Sequence, residues 1–311
     1  MRPLTVLLAR PRGFCAGVER AIRTVEQALE RFGAPVFVRH QIVHNPAVIR
    51  ELAAKGAVFV DELDAVPDGT PVIFSAHGVA KSVRAEAERR GLLYIDAICP
   101  LVTKVHKEVE RHVAAGRQAV MIGHRGHPEV VGTMGQVGAE AVILVQSPEE
   151  AAALATDDDR SYGLVMQTTL SVGDAEEIAA ILRHVIPRLF EPSKSDLCYA
   201  TTNRQMALRA IASRCDAAIV VGGANSSNSR RLVEVARSAG CPKAILVETA
   251  AELESSFFDG VNTLGVTAGA STPETLVRDV IDHLAKHFTI ELEEVVSTIE
   301  DTHFNLPRFP D

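Results

Sequence analysis

The sequence predicts an α/β fold built from three similar modules with mostly parallel sheets. Apolar runs of strand length alternate with amphipathic patterns of helix length along the whole chain, as is typical of parallel sheets covered by helices. Three cysteines each follow a short apolar or acidic run and precede one of the helical patterns: Cys15, Cys99 and Cys198. Polar loops recur at similar distances after each of them, which indicates a repeated arrangement with little repetition of sequence.

Composition and charge exclude several classes of protein. The 311 residues carry 32 Lys and Arg against 40 Asp and Glu, so the net charge is −8, and no basic block marks a nucleic-acid or membrane surface. No apolar run approaches the roughly 20 residues that cross a bilayer, and the run at residues 4–9 is too short for a secretory leader. Five cysteines are too few, and odd in number, for a disulfide scaffold. We therefore expect a cytoplasmic protein with no nucleic-acid or membrane partner, whose thiols are reduced or bind a metal.

Helices and strands are indicated along the chain by local patterns. Asn45-Pro46 predicts the start of a helix that ends before Gly56, and the apolar positions between Leu101 and Val113 mark one face of another helix. The predicted strands include residues 36–38, 72–75, 119–122, 164–167, 219–221 and 264–267. The predicted modules span residues 1–98, 99–195 and 196–287, and residues 288–311 are predicted to form an extended C-terminal arm.

Two sets of polar loops follow predicted strands. The first set comprises residues 40–46, 124–129 and 222–229, in which His44, His127 and Ser226 lie 29, 28 and 28 residues after the preceding module cysteine. The second set comprises residues 75–78, 167–171 and 268–272. Ligands of parallel sheets bind beyond the carboxyl ends of the strands. If the modules face one another, the three cysteines and six loops converge on one cavity.

The three repeated cysteines suggest a metal centre. Three thiolates around a cavity suit a soft metal or an iron–sulfur cluster, and a four-iron cluster with only three protein thiolates keeps one iron open for substrate. Zinc held by three cysteines is the alternative, and the long spacing of the cysteines is compatible with both metals, although the short spacing of structural zinc sites is absent. Cys215 and Cys241 have no polar loop beside them and are predicted to be buried core residues.

The polar loops also predict an anion site. Helix starts are predicted at Asn45, His127, Ser229 and Thr272, and the N–H groups and partial positive charge of helix N-termini favour phosphate. Three histidines and four small polar residues add hydrogen-bond donors: His44, His77, His127, Ser226, Ser227, Asn228 and Ser271. A Ser or Asn taken alone fits a helix cap, but the run at residues 225–229 holds more of them than one cap needs. Neither dinucleotide-binding nor P-loop glycine patterns occur, so a nucleotide is not predicted.

Glu129 is the only carboxylate within these loops. Taken alone, it is an ordinary acidic residue in the first turn of a helix. Beside a phosphate site and a metal, it is the natural proton donor or relay. Thr168 and Thr169 could pass a proton or hold a substrate hydroxyl, or they could simply form the turn at the end of a strand.

Eight segments of the chain closely resemble the family of 4-hydroxy-3-methylbut-2-enyl diphosphate reductases, iron–sulfur enzymes of the non-mevalonate isoprenoid pathway. In order, they are PRGFCAGV at 11–18, SAHGV at 75–79, CPLVTKVH at 99–106, GHRGHPE at 123–129, QTTLS at 167–171, CYATTNRQ at 198–205, NSSNS at 225–229 and VTAGAS at 266–271. They extend over nearly the whole chain. Three positions depart from the expected pattern, namely Glu19, Ile98 and Val131, and none of them is a proposed ligand.

The resemblance implies a pseudo-threefold axis, with a central [4Fe-4S] cluster held by Cys15, Cys99 and Cys198 and a fourth iron facing the substrate. It implies that Glu129 delivers protons and that Thr168 lies near the substrate hydroxyl. The seven donors of the predicted anion site would hold the diphosphate. The implied reaction converts (E)-4-hydroxy-3-methylbut-2-enyl diphosphate into isopentenyl and dimethylallyl diphosphate plus water. It takes two electrons, which ferredoxin or flavodoxin would deliver to a monomer or weak homodimer.

Two alternative functions remain open at this point. A non-catalytic iron–sulfur sensor would bind a phosphorylated ligand, and it would need neither an open iron nor a proton-donating Glu129. A zinc-dependent phosphoester hydrolase would be colourless and active in air. Iron content and the effect of Glu129→Gln on turnover separate the three.

Overall fold

The computed structural model describes residues 1–309, in which strands and helices alternate over most of the chain. The strands are β1 (Arg2–Arg10), β2 (Val36–Arg39), β3 (Ala57–Val60), β4 (Pro71–Phe74), β5 (Leu93–Asp96), β6 (Gln118–Ile122), β7 (Val142–Val145), β8 (Tyr162–Met166), β9 (Leu189–Phe190), β10 (Ala217–Val221), β11 (Lys243–Val247), β12 (Thr263–Ala268) and β13 (Phe288–Val296). The α-helices are α1 (Ala16–Phe32), α2 (Pro46–Ala54), α3 (Lys81–Arg89), α4 (Pro100–Ala114), α5 (Pro128–Met134), α6 (Pro148–Ala152), α7 (Val172–Val185), α8 (Tyr199–Ala212), α9 (Ser227–Ser238) and α10 (Glu274–Ala285). Each strand predicted above overlaps an observed strand.

The strands form three sheets, and every strand pairing among the described residues is parallel. Sheet A has the order β11-β10-β12-β1-β13, sheet B the order β3-β2-β4-β5, and sheet C the order β7-β6-β8-β9. Strands β8 and β10 are buried along their whole length, as expected of inner strands of parallel sheets with helices on both faces. The predicted fold class, three α/β modules with parallel sheets, is confirmed.

Sheet A joins the two ends of the described chain. Strand β1 pairs with β12 on one side and with β13 on the other, from Arg2 opposite Phe288 to Arg10 opposite Val296. The sequence alone predicts that β1 belongs to the first module and that residues 288–311 form an extended arm. The difference is physical: β13 is a mostly exposed edge strand rich in glutamate, and its partner lies almost 290 residues away, where no local pattern reveals it. The module boundaries at residues 98, 195 and 287 remain a prediction.

Contacts within the chain define two compact units. Unit 1 comprises residues 1–18, 44–50 and 199–303 and contains sheet A. Strand β1 directs Leu4, Val6 and Leu8 to an apolar core on one face of the sheet and Leu7 and Ala9 to a core on the other face, as the two-residue period of a strand requires. Unit 1 is therefore a sheet covered on both sides.

Unit 2 comprises residues 19–43, 51–198 and 304–311, of which the structure describes those up to 309, and contains sheets B and C. In sheet C, Val120 and Ile122 pack into the core that α7 covers, whereas Ala119 and Met121 pack toward α4. No helix among residues 1–309 combines the length and the apolar character needed to cross a bilayer.

Candidate active site

The three predicted cysteine ligands occupy equivalent positions in the fold. Cys15, Cys99 and Cys198 each immediately precede a helix, which begins at Ala16, Pro100 and Tyr199 respectively. All three are partly exposed thiols that form no disulfide within the described chain. The thiolate is the form of cysteine that binds metal.

Each of these cysteines is held by the polar loop that follows a neighbouring strand. The Cys15 N–H donates to the carbonyl of Ala270 after β12, at 3.2 Å. The Cys99 N–H donates to Ala76 after β4, and the Cys198 N–H donates to Thr168 after β8, both at 2.9 Å. These loops belong to the second predicted set, so the recurrence seen in the sequence reflects a recurring backbone hydrogen bond.

The other two cysteines have a different environment. Cys215 and Cys241 are buried in an apolar core of unit 1, and their Sγ atoms donate to the carbonyls of Ile211 and Lys243. Burial raises the pKa of Cys215 to about 12 and also raises that of Cys241. Neither thiol is suited to ligate a metal, which agrees with their predicted role in the core.

Unit 1 holds the serine- and asparagine-rich part of the predicted anion site. Ser226 caps α9, because its side chain accepts the N–H of Ser229 at 3.2 Å. Helix α9 thus begins at Ser227, two residues earlier than predicted. Ser271 donates its hydroxyl to the carbonyl of His44 at 2.9 Å, which ties the loop after β12 to the loop before α2.

Asn228 is the clearest indication of a polar ligand in unit 1. Its side chain is only 4% exposed, and neither its amide nitrogen nor its amide oxygen has a hydrogen-bond partner among residues 1–309. The Ser229 hydroxyl beside it is also buried without a partner. A Cβ at Gly269 would clash with that hydroxyl and come within 3.5 Å of the Asn228 amide nitrogen. Since buried polar groups are normally satisfied, these orphaned groups fit a site whose ligand supplies the partner.

Unit 2 brings together two of the three histidines of the predicted anion site. The ring centroids of His77 and His127 lie 5.8 Å apart with the rings nearly perpendicular. His127 caps α5, as Nδ1 accepts the N–H of Glu129 at 3.2 Å. Because Nδ1 is an acceptor, the neutral ring carries its proton on Nε2, which can then donate to a ligand. On the other ring, Nδ1 of His77 lies 3.2 Å from the hydroxyl of Ser75.

Glu129 and Thr168 form a buried pair in unit 2. Glu129 is 2% exposed and accepts two hydrogen bonds from Thr168, from the N–H to Oε1 at 2.7 Å and from the hydroxyl to Oε2 at 2.9 Å. Burial raises the pKa of Glu129 to about 7, although both hydrogen bonds from Thr168 act to lower it. Both protonation states are therefore accessible near neutral pH, which suits a carboxyl group that transfers protons.

Comparison with known proteins decides the family. The family model for the LytB protein matches residues 6–285. The chain belongs to the LytB protein family. The resemblance found in the sequence segments is thereby confirmed.

Curated relatives of this LytB chain match over nearly their full length. A protein of Ruegeria pomeroyi, named 4-hydroxy-3-methylbut-2-enyl diphosphate reductase, is 55% identical over 306 residues, which cover 98% of this chain and 97% of the relative. A protein of Phenylobacterium zucineum with the same name is 56% identical over 306 residues, with the same coverage. The solved structure of the E-1-hydroxy-2-methyl-but-2-enyl-4-diphosphate reductase from Plasmodium falciparum has a TM-score of 0.94 and 35% identity, and covers 98% of this chain and 96% of that chain.

The two units of the LytB chain divide the predicted site residues between them. Unit 1 contains Cys15, His44, Ser226, Ser227, Asn228 and Ser271, whereas unit 2 contains Cys99, Cys198, His77, His127, Glu129 and Thr168. Within unit 2, the Thr168 carbonyl accepts the Cys198 N–H while the Thr168 hydroxyl binds Glu129. The proton-transfer candidate is thus linked through one residue to a predicted metal ligand.

The donor set fits an iron–sulfur cluster. Among residues 1–309, no three His, Cys, Asp or Glu side chains lie close enough together to hold a single metal ion. The predicted cluster ligands are instead three partly exposed thiols in matching backbone positions, and thiolates are the usual protein ligands of such clusters. The predicted ligands Cys15, Cys99 and Cys198 are therefore of the chemical type that such a cluster requires, and their role as its ligands stays a prediction.

Sequence reasoning missed several buried polar residues near these positions. Gln167 is fully buried, accepts the N–H of His124 at 3.0 Å and donates to the Thr169 hydroxyl at 2.8 Å, so that it braces the loop beside Thr168. It also missed three cations that donate to carbonyls shortly before the cysteines: Arg20, Lys104 and Arg204. A signal for the cations was present, because they follow Cys15, Cys99 and Cys198 by 5, 5 and 6 residues.

Proposed function

We propose that this LytB chain reductively removes the hydroxyl group of (E)-4-hydroxy-3-methylbut-2-enyl diphosphate, forming isopentenyl diphosphate or dimethylallyl diphosphate. Two electrons and two protons enter, the allylic C–O bond breaks, a C–H bond forms, and the oxygen leaves as water. The names and near-complete coverage of the relatives support this substrate and reaction. The seven proposed diphosphate donors and the three thiols supply groups of the type that the reaction requires.

The observation that carries the proposal is the buried Glu129–Thr168 pair. A carboxyl with a pKa of about 7 inside the protein can give up a proton and take one back at neutral pH. The Thr168 hydroxyl, which donates to this carboxylate, has the chemistry to bind the hydroxyl that leaves. In the proposed reaction, Glu129 supplies protons and Thr168 orients the leaving group.

The proposed cofactor is a [4Fe-4S] cluster ligated by Cys15, Cys99 and Cys198. When bound, it would supply electrons one at a time and an open iron as a Lewis acid. The chain's own contribution is to fix the thiols: each cysteine N–H is bound to a carbonyl of a polar loop, and each thiol lies at the start of a helix. One-electron carriers such as ferredoxin or flavodoxin match this chemistry as electron donors. A monomer or weak homodimer in the cytoplasm is part of the same proposal.

The diphosphate is proposed to bind to the seven hydrogen-bond donors of the predicted anion site. Ser226, Ser227, Asn228 and Ser271 contribute neutral donors, and the buried amide of Asn228 has no partner among residues 1–309. The histidines in this group are His44, His77 and His127, and His127 presents an N–H at Nε2 because its Nδ1 accepts a backbone N–H. Contacts to the diphosphate, remote from the reacting carbon, would fix the geometry of the allylic end.

The substitution Glu129→Gln tests the proposal. Protein purified and reconstituted without oxygen is given the substrate and a one-electron chemical reductant, and the two products are measured. We expect the wild type to turn over, and Glu129→Gln to lose about a hundredfold or more in kcat while iron content and substrate affinity persist. Glu108→Gln is the matched control, because Glu108 is also a buried carboxylate of unit 2 but pairs with Arg111 and His112.

The same assay separates the reductase from an iron–sulfur sensor. A sensor would bind the diphosphate and hold iron, yet release no product in either variant. The polar pair at Glu129 favours the enzyme, because ligand binding alone does not need a buried carboxyl that titrates near neutral pH. Unchanged kcat in Glu129→Gln would contradict the proposed proton donor.

A further inference from the structure

We propose that Arg20, Lys104 and Arg204 are positioning residues that hold the three cysteine loops in place, so that a bound cluster retains its iron. The inference rests on the proposed function, because it takes Cys15, Cys99 and Cys198 as the ligands. It concerns three side chains to which the proposed function assigns no part.

Arg20 holds the approach to Cys99. From helix α1, its Nη1 donates to the carbonyls of Ala97 at 3.0 Å and Ile98 at 2.9 Å, the two residues that precede Cys99. Burial lowers the pKa of Arg20, and the nearby charge of Cys99 opposes that shift. The guanidinium therefore both fixes the backbone before this thiol and lies within electrostatic reach of it.

Lys104 holds the approach to Cys198. From helix α4, its Nζ donates to the carbonyls of Lys194 at 2.6 Å and Ser195 at 2.8 Å and pairs with Asp196 at 3.1 Å. The Asp196 side chain is fully buried, and its second oxygen accepts the N–H of Met166 at 3.1 Å. The segment before Cys198 is thus attached both to α4 and to the end of β8.

Arg204 holds the approach to Cys15. It is 0% exposed and lies in helix α8, and its Nε and Nη2 donate to the carbonyls of Gly13 at 2.9 Å and Phe14 at 3.0 Å. Glu300 neutralises the buried charge through an ion pair at 3.1 Å. A fully buried guanidinium is costly unless it is paired and hydrogen-bonded, and here both conditions are met.

The three cations share the same sequence relationship to the cysteines. Each cation lies five or six residues after one cysteine, on the helix that this cysteine precedes, and binds the carbonyls that come shortly before the next cysteine. Arg204, after the third cysteine, returns to the segment before the first. The bound carbonyls lie outside helices and strands, so no regular hydrogen-bond ladder fixes them and the cations provide their donors. Each cation therefore fixes the backbone shortly before one of the three cysteines.

A general contribution to stability is the competing explanation, and the chain offers a matched control for it. Arg90 also donates to two backbone carbonyls, that of Leu63 at the start of a short 3-10 helix and that of Val66 just after it, and is likewise mostly buried. Leu63 and Val66 belong to the core of sheet B, and neither lies next to a cysteine in the sequence. Arg90→Met therefore removes the same kind of contact at a place unrelated to the proposed ligands.

The test compares Lys104→Met, Lys104→Arg and Arg90→Met with the wild type, each as the full chain loaded with iron and sulfide without oxygen. The rate at which a chelator removes iron is measured beside the urea midpoint of unfolding. We expect iron to leave Lys104→Met about tenfold faster than the wild type, whereas Arg90→Met releases iron at the wild-type rate. Lys104→Arg, which keeps a cationic donor, should restore slow release. Arg20→Met with its partner Arg20→Lys repeats the comparison at Cys99, should Lys104→Met fail to fold.

Each outcome decides the matter. Iron release from Lys104→Met at the wild-type rate would overturn the inference, as would equal acceleration in Arg90→Met. A wild type that retains four irons but yields no product would contradict the proposed function while leaving the release rates to support the positioning role. A wild type that takes up no iron would contradict both.

Discussion

Thr168 binds both oxygens of Glu129, one through its backbone N–H and the other through its hydroxyl. Two opposing effects set the pKa of Glu129. Burial disfavours the carboxylate and raises the pKa, whereas the two donors favour it, and the balance leaves the pKa at about 7. A carboxyl with this pKa can act as an acid or as a base near neutral pH.

The substitution Thr168→Val should change the pH dependence of turnover. If protonated Glu129 is the active form, the wild-type rate falls as the pH rises through about 7. Valine removes the hydroxyl donor to Oε2, so the pKa of Glu129 rises and the falling limb moves to higher pH. We also expect kcat to drop about tenfold, since the proposed contact to the leaving hydroxyl is lost. Steady-state rates between pH 5 and 9 measure both effects.

The control is Thr168→Ser, which keeps the hydroxyl and should retain the wild-type pH profile. If the rate of Thr168→Val falls at the same pH as that of the wild type, the Thr168 hydroxyl does not set the pKa of Glu129.

Glu129 should also make the free energy of unfolding depend on pH. Its pKa rises from 4.5 to about 7 on folding, so between these values the unfolded chain has lost the proton and the folded chain retains it. The folded state then binds more protons, and stability therefore decreases as the pH rises, by about 3 kcal/mol in total. Glu129→Gln cannot titrate. Urea unfolding of the full chain without iron should show the variant gaining stability relative to the wild type between pH 4.5 and 7. A constant difference across that range would mean that the carboxyl is not perturbed.

The substitution Asn228→Ala should separate binding from stability. The Asn228 amide is buried without a partner, so its removal should leave the free energy of unfolding unchanged or slightly raised. Affinity for inorganic diphosphate should nevertheless fall about tenfold, because the ligand loses a buried donor. Competition of diphosphate against substrate measures the loss. The exposed Asn262, replaced by Ala, is the control and should change neither quantity. An unchanged inhibition constant in Asn228→Ala would remove this residue from the anion site.

Serine substitutions should divide the five cysteines into two groups. Cys15→Ser, Cys99→Ser and Cys198→Ser each remove a partly exposed thiol at a helix start, and iron per chain after reconstitution should fall steeply in all three. Cys215→Ser and Cys241→Ser alter thiols buried in an apolar core and should retain the wild-type iron content. Iron and acid-labile sulfide analysis, together with absorbance near 400 nm, distinguishes the groups. Loss of iron in Cys215→Ser would show that the wrong thiols were assigned.

Local patterns in the sequence predicted much of the fold. Asn45 accepts the N–H groups of Ala47 and Val48, so the expected cap at the start of α2 is present. His127 caps α5 before Pro128, also as expected. These elements are predictable because a helix start depends on a few neighbouring residues.

Other features depend on partners distant in the sequence. Arg204 is a charged residue that a composition-based reading places at the surface, yet its position follows from carbonyls 190 and 191 residues away and from Glu300. The sequence also does not reveal that the Asn228 amide lacks a hydrogen-bond partner among residues 1–309. From the sequence alone, an asparagine at this position fits a helix cap. The sequence therefore predicts which residue types form the candidate site. It does not predict the long-range hydrogen bonds and ion pairs that hold the surrounding backbone.

The pairing of β1 with β13 has a consequence for biosynthesis. Residues 2–10 leave the ribosome long before their partner at 288–296, which is synthesised almost 290 residues later. At translation rates of about 5–20 residues per second, the first strand waits roughly 15–60 s, with the apolar run at residues 4–9 uncovered. Sheet A, which adjoins the Cys15 loop, can therefore close only after residues 288–296 have been synthesised.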